Sequence, residues 1–452
     1  MGEGLLARAD GRLEAAITAL RRAADLAPDD ADIWEALARV ALDMGERDEA
    51  ADALVQALRA AARAPEPRRL RLAALRSVAE NDVEGAVRAW EALADARPDD
   101  LHAGLHVARA LTVAGRLDAA GGRLDALLAR DPEDARLWFE RGKLAILQGD
   151  ARTAVDDHLV RALVGFKRGD DRYGEAETDN ALGIGYGRLG RTADAVEQYR
   201  RAITLRRALG HRRGLAVSLR NLANVLGLTG DIDGAATALG EARALGASLG
   251  DRALQAAVDN ELGLLAEERG DFRAALAAYR SALGTWQQNG DAHGAAEALN
   301  NIGYAGYQLG DYADAQVYWQ QAADAYAALG EDTGTVRTLQ NLGLLATARG
   351  RWREARTLLQ RSLDQAEAQQ MVEEAAVSRR NLAELALQQG HPKDALRLAA
   401  QAGQAFAGRD DARGGVDAGL LGVRARMADG DVAGAASALA ALTPVLAGAS
   451  GE

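Results

Sequence analysis

His102 and His106 stand four residues apart, a spacing that puts two imidazoles on one face of a helix, where a zinc ion could take two of its ligands. Zinc hydrolases built on that spacing also need a glutamate between the pair as general base, and a further ligand. Ala103, Gly104 and Leu105 intervene here, and no third ligand suggests itself, so the pair reads as solvated or capping histidines. Gly185-Tyr186-Gly187-Arg188-Leu189-Gly190 has the G-x-G-x-x-G spacing of a dinucleotide loop, which requires a strand before it and a helix opening at the third glycine. Gly246-Ala247-Ser248-Leu249-Gly250 has the G-x-S-x-G spacing of a nucleophile elbow, which requires a strand-to-helix turn. Both stretches instead lie where helical periodicity ends. The arginine pairs Arg21-Arg22, Arg68-Arg69 and Arg379-Arg380 read as solvated helix faces. Cysteine is absent, which removes thiol nucleophiles, disulfides and thiolate metal sites. With no convergent nucleophile, base or metal set, neither an enzyme nor a cofactor is expected.

The elements that position these residues follow from a repeat. Gly190, Gly230, Gly270, Gly310, Gly350, Gly390 and Gly430 recur at intervals of 40 residues. A fixed period of this length is the signature of stacked supersecondary units. In the copy from Ala296 to Thr335, small and apolar residues at Ile302, Gly303 and Gly306 share one helical face before the anchor Gly310. Tyr312, Ala315, Trp319 and Ala322 do the same after it. Gly310 supplies the left-handed break between two helices, and Asp311 is placed to cap the second. Five residues after each anchor comes an alanine: Ala195, Ala235, Ala275, Ala315, Ala355, Ala395 and Ala435. Seven before stands Gly183, Ala223, Gly263, Gly303, Gly343 or Ala383, always small, as close helix approach demands.

Leu182 to Tyr199 spells LGxxYxxLGxxxxAxxxY, and the same pattern recurs in register along the chain. This resembles the tetratricopeptide repeat. The resemblance implies an all-α fold, a right-handed superhelical solenoid of about twelve helical hairpins. Residues 1–168 form an array of 34–36-residue units with anchors at Gly11, Gly45, Asn81, Gly115 and Gly149. Residues 169–452 form an array of 40-residue units, whose six additional residues are expected to lengthen the second helix. From Gly149 to Gly190 the spacing is 41, so one extra residue near Asp156 to His158 becomes a helix bulge or loop slack, with Leu159 fitting the packing slot better than His158. Only ten residues precede Gly11, so the first unit reads as incomplete and the chain as cut from a longer protein. The last unit ends in TPVLAGASGE without a charged capping helix.

A net charge of −12 disfavours nucleic-acid binding through phosphate contacts. No apolar run is long enough to span a membrane, and no secretory core opens the chain, which points to the cytoplasm. Asn221, Asn301, Asn341 and Asn381 all stand nine before their anchors, which suggests one shared hydrogen bond to the neighbouring hairpin. Residues thirteen, ten, six, three and two before each anchor form another stripe, and the resemblance assigns this stripe to the concave groove. It carries Asn180, Arg188, Arg220, Asn224, Asn260, Leu264, Glu267, Glu297, Asn300, Tyr304, Tyr307, Gln308, Arg337, Gln340, Arg380 and Glu384. Packing alone does not require such variety from unit to unit, whereas recognition on a rigid scaffold does.

The expected function is therefore a non-enzymatic protein–protein interaction scaffold that holds a peptide or protein segment in this groove, within the sensor or interaction region of a larger bacterial signalling protein. Two alternatives stand beside it, a small-molecule sensor with a deep pocket and a regulatory solenoid that self-associates. Tyr304 and Tyr307, three apart on the stripe, are the expected hot spot, and alanine at both is expected to abolish binding with little loss of stability.

Overall fold

The helices break wherever the repeat places an anchor. In the computed structural model, which describes residues 1–9, 12–408 and 411–449, every anchor glycine from Gly45 to Gly430 takes φ between +68° and +86°. Gly11, the first anchor, lies outside the described residues. Asn81 stands in for glycine with φ +58°, a conformation asparagine tolerates because its short amide bonds locally. At Gly310 the break is closed by Asp311 N–H donating to the Gly306 carbonyl (2.9 Å) and Gly310 N–H donating to the Tyr307 carbonyl (3.0 Å), the paired bonds of a left-handed helix end. Asp231 and Asp271, at the equivalent of Asp311, accept the N–H of Gly234 (2.9 Å) and Ala274 (3.0 Å). Asp311 itself makes no such bond, contrary to expectation; a second carboxylate, Asp314, stands at its third helical position, where those two units have Gly234 and Ala274.

All described elements are helical, and they pair into twelve hairpins. Close packing divides them between two units, Met1–Gly250 and Asp251–Glu452. The first unit holds seven hairpins, from Gly2–Ala9 with Leu13–Leu26 to Arg212–Leu228 with Ile232–Leu249. The second holds five, from Arg252–Glu268 with Phe272–Asn289 to Ala412–Ala428 with Val432–Ala449. The lengthening at the change of period is shared: first helices grow from 13–14 residues (Leu101–Val113, Ala31–Met44) to 17 (Arg172–Arg188), and second helices from 14 (Leu117–Arg130) to 18 (Thr192–Leu209). The second helix alone was expected to grow. One added turn on each leg keeps the two legs equal in length, so their apolar faces still meet end to end.

The extra residue before Gly190 is absorbed as a π turn over Ala154–His158, inside a helix that continues to Arg168. The bulge moves Leu159, fully buried, into the packing slot opposite Gly142, and leaves His158 stacked on Trp138 with ring centroids 5.6 Å apart. Ala195, Ala275, Ala315, Ala355 and Ala395 are wholly buried, and Ala235 and Ala435 nearly so. The turns between the later hairpins use a second left-handed residue at the same period: Gly210, Gly250, Gly290 and Gly330, but Asp170 and Gln370 elsewhere. A side chain at φ +57° costs roughly 1–2 kcal/mol, of which glycine's extra chain entropy returns about half. Gln370→Gly is therefore expected to stabilise the chain by about 0.5–1 kcal/mol in denaturant unfolding; an unchanged or lowered midpoint would refute it.

Candidate functional site

The amides of the predicted stripe lie in seams between successive first helices. In the second unit Asn260 donates to Glu297 Oε1 (2.9 Å) and accepts from Asn301 (3.1 Å), and Asn300 accepts from Asn341 (2.9 Å). In the first unit Asn180 accepts from Asn221 (3.2 Å) and from the Ser218 hydroxyl (2.9 Å). The asparagine nine before one anchor thus donates to the asparagine ten before the previous one, a ladder that ties hairpin to hairpin. The amides ten before the anchor were expected to face a ligand; Asn180 and Asn260 are instead buried, because only there can each amide satisfy the other's hydrogen-bonding groups. Gln340, also buried, donates to the Glu374 carbonyl (2.8 Å) and to Ser378 Oγ (3.0 Å). Charged members of the stripe pair forward in the same way: Arg337 with Glu374 (3.1 Å), Arg380 with Asp417 (3.3 Å), and Glu384 with Arg424 (2.7 Å). Arg220 is half-buried, and Arg188, although exposed, donates to the Ile146 carbonyl.

Leu264, Gln308 and Asn224 stand open to solvent. Glu267 is half-buried, and burial pushes its carboxyl up to about 7. Tyr304 and Tyr307 are half-buried, not exposed as expected. Tyr307 rests on Trp319 (centroids 5.8 Å) and beside Tyr312 (5.4 Å), while Tyr304 meets the edge of Phe272 (6.5 Å). The pair was expected to be dispensable for stability. Because Tyr307 covers the fully buried Trp319, Tyr307→Ala is now expected to cost on the order of 1–3 kcal/mol.

The motifs with catalytic spacing are absorbed by the repeat. Gly185 to Gly190 close the helix Arg172–Arg188, with Gly190 left-handed and Gly185 packed against Val155. Ser248 donates to the Leu245 carbonyl (2.7 Å) in the last turn of Ile232–Leu249.

The histidine pair leads elsewhere. His102 is exposed, with Nε2 2.6 Å from the Arg136 guanidinium. His106 is half-buried and stacked on Trp90, with centroids 4.1 Å apart and planes 10° from parallel. It is neither solvated nor capping: burial, reinforced by nearby Arg109, pushes its pKa down to about 3, so the ring is neutral at ordinary pH. Both rings line a cavity of about 890 Å³ inside the first unit, to which successive first helices contribute Arg8, Arg39, Arg71, Arg109 and Arg136. Far along the chain, Arg213 donates to the Met44 carbonyl (2.8 Å) and Arg212 lies 3.7 Å from Glu14, so the seventh hairpin returns to the first two.

On the cavity wall two buried carboxylates are each shared by two cations, while Arg136 pairs with Asp134 (2.6 Å). Buried Glu35 is held by both Arg39 and Arg71 (2.9 Å each). Buried Glu140 is held by both Arg109 (2.8 Å) and Lys143 (3.1 Å). Arg47 bonds the Asn81 amide oxygen (3.0 Å). The other wall carboxylates are engaged: Asp43 by Arg8 (2.8 Å), Glu177 by Arg206 (2.5 Å), and Asp82, Asp100 and Asp171 by the N–H groups of Gly85, Ala103 and Gly174 at their helix starts. Sequence reasoning missed this wall because the groove stripe was read only in the 40-residue units. Applied to the shorter ones, the same offsets reach Arg39, Arg71, Arg109, Arg136 and His102.

Profiles of the tetratricopeptide repeat match residues 7–74 and 77–139, and residues 174–248, 294–368 and 336–405. Among solved structures the chain is similar to the apo form of RapI, at 13% identity and a TM-score of 0.52, over 60% of this chain and 97% of that one. It is also similar to aspartyl phosphate phosphatase F from Bacillus subtilis, at 14% identity and a TM-score of 0.54, over 72% of this chain and 89% of that one. No curated protein matches the sequence.

Proposed function

The chain belongs to the tetratricopeptide repeat family, and on that premise we propose that it is a non-enzymatic scaffold whose second unit binds an extended segment of a partner protein along its first helices. The observation that carries this reading is an aromatic band. Only 4% of the residues are aromatic, yet Phe272 meets Tyr304 and Tyr307 meets Tyr312 in successive hairpins, and Leu264, Gln308 and Arg337 of the same stripe are exposed. Rigid rings with a polar tip supply large contact area at low entropic cost, which is why they concentrate at hot spots. The ladder beneath fixes the spacing of successive helices, so the band presents a preset surface.

Placement in the interaction region of a larger bacterial signalling protein, in the cytoplasm, is part of the same proposal. Its support is the fold shared with RapI and aspartyl phosphate phosphatase F. The net charge of −12 argues for a protein rather than a nucleic-acid partner. Among the described residues, no helix is long and apolar enough to cross a membrane.

The test is to pan a displayed peptide library on the full chain and measure affinities of the enriched peptides. Tyr304→Ala combined with Leu264→Ala is expected to weaken them about tenfold or more, as loss of one or two hot-spot contacts does. Enriched peptides indifferent to both changes, or no enrichment at all, would remove the site.

A further inference from the structure

We propose that the cavity of the first unit is a second, separate binding site, for a small organic anion that carries a planar ring. Three observations lead there. The volume of about 890 Å³ lies in the range of sites that enclose a drug-sized molecule, and the return of Arg213 to the Met44 carbonyl bounds the stack that surrounds it. Guanidinium groups on the wall share their carboxylates. Glu35 and Glu140 are each clasped by two cations, which leaves one cation of each set without a carboxylate of its own, and Arg47 holds only an amide. A guanidinium presents a fork of N–H donors that matches the oxygens of carboxylate and phosphate, and in a partly enclosed site such contacts gain strength.

The third observation is the material beside the cations. His106, stacked on Trp90, and Phe139, with Lys143 5.1 Å above its ring, offer half-buried flat faces to the same space. The wall thus combines anion-binding forks with stacking surfaces, and a ligand that uses both has a charged group and a planar body. This site is independent of the peptide groove, which lies on other hairpins.

Isothermal titration of the full chain with ATP and with naphthoate separates a phosphate from a carboxylate source of the charge. Adenosine and citrate serve as probes that carry only the ring or only the charge. One equivalent of ATP or of naphthoate is expected to bind, about tenfold or more tighter than adenosine or citrate. The better of the two names the anionic group. Arg71→Gln with Arg109→Gln is expected to weaken that probe about tenfold or more, while Tyr304→Ala leaves it unchanged, so the outcome is separable from that of the groove. If the double variant fails to fold by circular dichroism, Arg47→Gln and Arg109→Lys replace it and are each expected to weaken binding severalfold, since Arg47 is exposed and lysine retains the charge but not the fork. No heat from either ring-bearing anion at millimolar concentration overturns the proposal, as does affinity that survives these arginine changes.

Discussion

Asp179→Leu is expected to raise the stability of this chain at neutral pH by about 2–3 kcal/mol and to abolish part of its pH dependence. Asp179 is 3% exposed, and its Oδ1 has no hydrogen-bond partner. Burial pushes the carboxyl up to about 6, and Lys167 and Arg201 offset this only in part. The folded state therefore holds a proton that the unfolded chain, with an ordinary carboxyl near pH 4, has already released. Stability falls as pH rises through the window from about 4 to about 6, and above it the folded protein carries the cost of a buried charge that Lys167 and Arg201 offset only in part. The repeat itself names the remedy. Eleven residues before the anchor, three units carry a buried leucine in place of Asp179 (Leu219, Leu299 and Leu339), while two others carry Arg379 and Gly419. Asp259 shares the position but accepts a hydrogen bond from the Ser281 hydroxyl at 2.6 Å, so it is not a comparable liability. Denaturant unfolding at pH 7.5 and pH 4 checks the sign: the gain should be large at the higher pH and shrink at the lower. Equal midpoints at pH 7.5 would show that Asp179 has a partner in solution.

That liability was invisible in the sequence, and the reason applies to the whole molecule. Period and anchors were legible because they are set by backbone conformation, which one residue determines locally; even Asn81, a non-glycine anchor, was placed by spacing alone. The π turn was legible as one extra residue, because only a bulge or loop slack could restore register to Leu159. The candidate site was legible only as a face. Offsets from the anchor say which way Asn260 points, but not that Asn301 of the next hairpin already occupies its carbonyl oxygen. Nor do they say that Tyr307 lies across Trp319, since that contact depends on how far the helix is tilted onto its partner. The arginine cavity escaped for a different reason. Its arginines stand at the stripe offsets of the shorter units, but that they line one cavity depends on six hairpins, from Leu5 to Glu177, enclosing a common space, which the spacing within a single unit does not encode.

The rule that did lie in the sequence, small residues seven before the anchor, has a partner that spacing also shows once the packing is known. Gly183 faces Tyr199, Gly303 faces Trp319 and Gly343 faces Leu359, each nine after its anchor. In the unit of Gly230, where Ala223 stands at the first position, the second is Leu239. The shorter unit of Asn81 sets Ala74 and Trp90 at the two positions, but among the 40-residue units the small residue is glycine wherever the large one is aromatic, although glycine inside a helix costs about 1 kcal/mol relative to alanine. Retaining it therefore implies a packing penalty for alanine greater than that. At Gly303 a methyl group would lie 2.6 Å from Trp319 Cδ1 and Nε1, in a ring that is wholly buried and fixed by its N–H bond to the Asn300 carbonyl at 3.0 Å. Gly303→Ala is accordingly expected to destabilise by about 1–3 kcal/mol despite its helix propensity. Trp319→Leu alone should cost about 2–4 kcal/mol, through the cavity it leaves. Combined, the two changes rebuild the Ala223–Leu239 pair: the methyl fills part of the space the indole vacated, and the propensity of alanine is no longer opposed. The double variant should then lose at least about 1 kcal/mol less than the sum of the single losses, a coupling in the range expected of residues in contact. Strict additivity would mean that the glycine is held by something other than the ring it faces, and the size rule along the repeat would lose its physical basis.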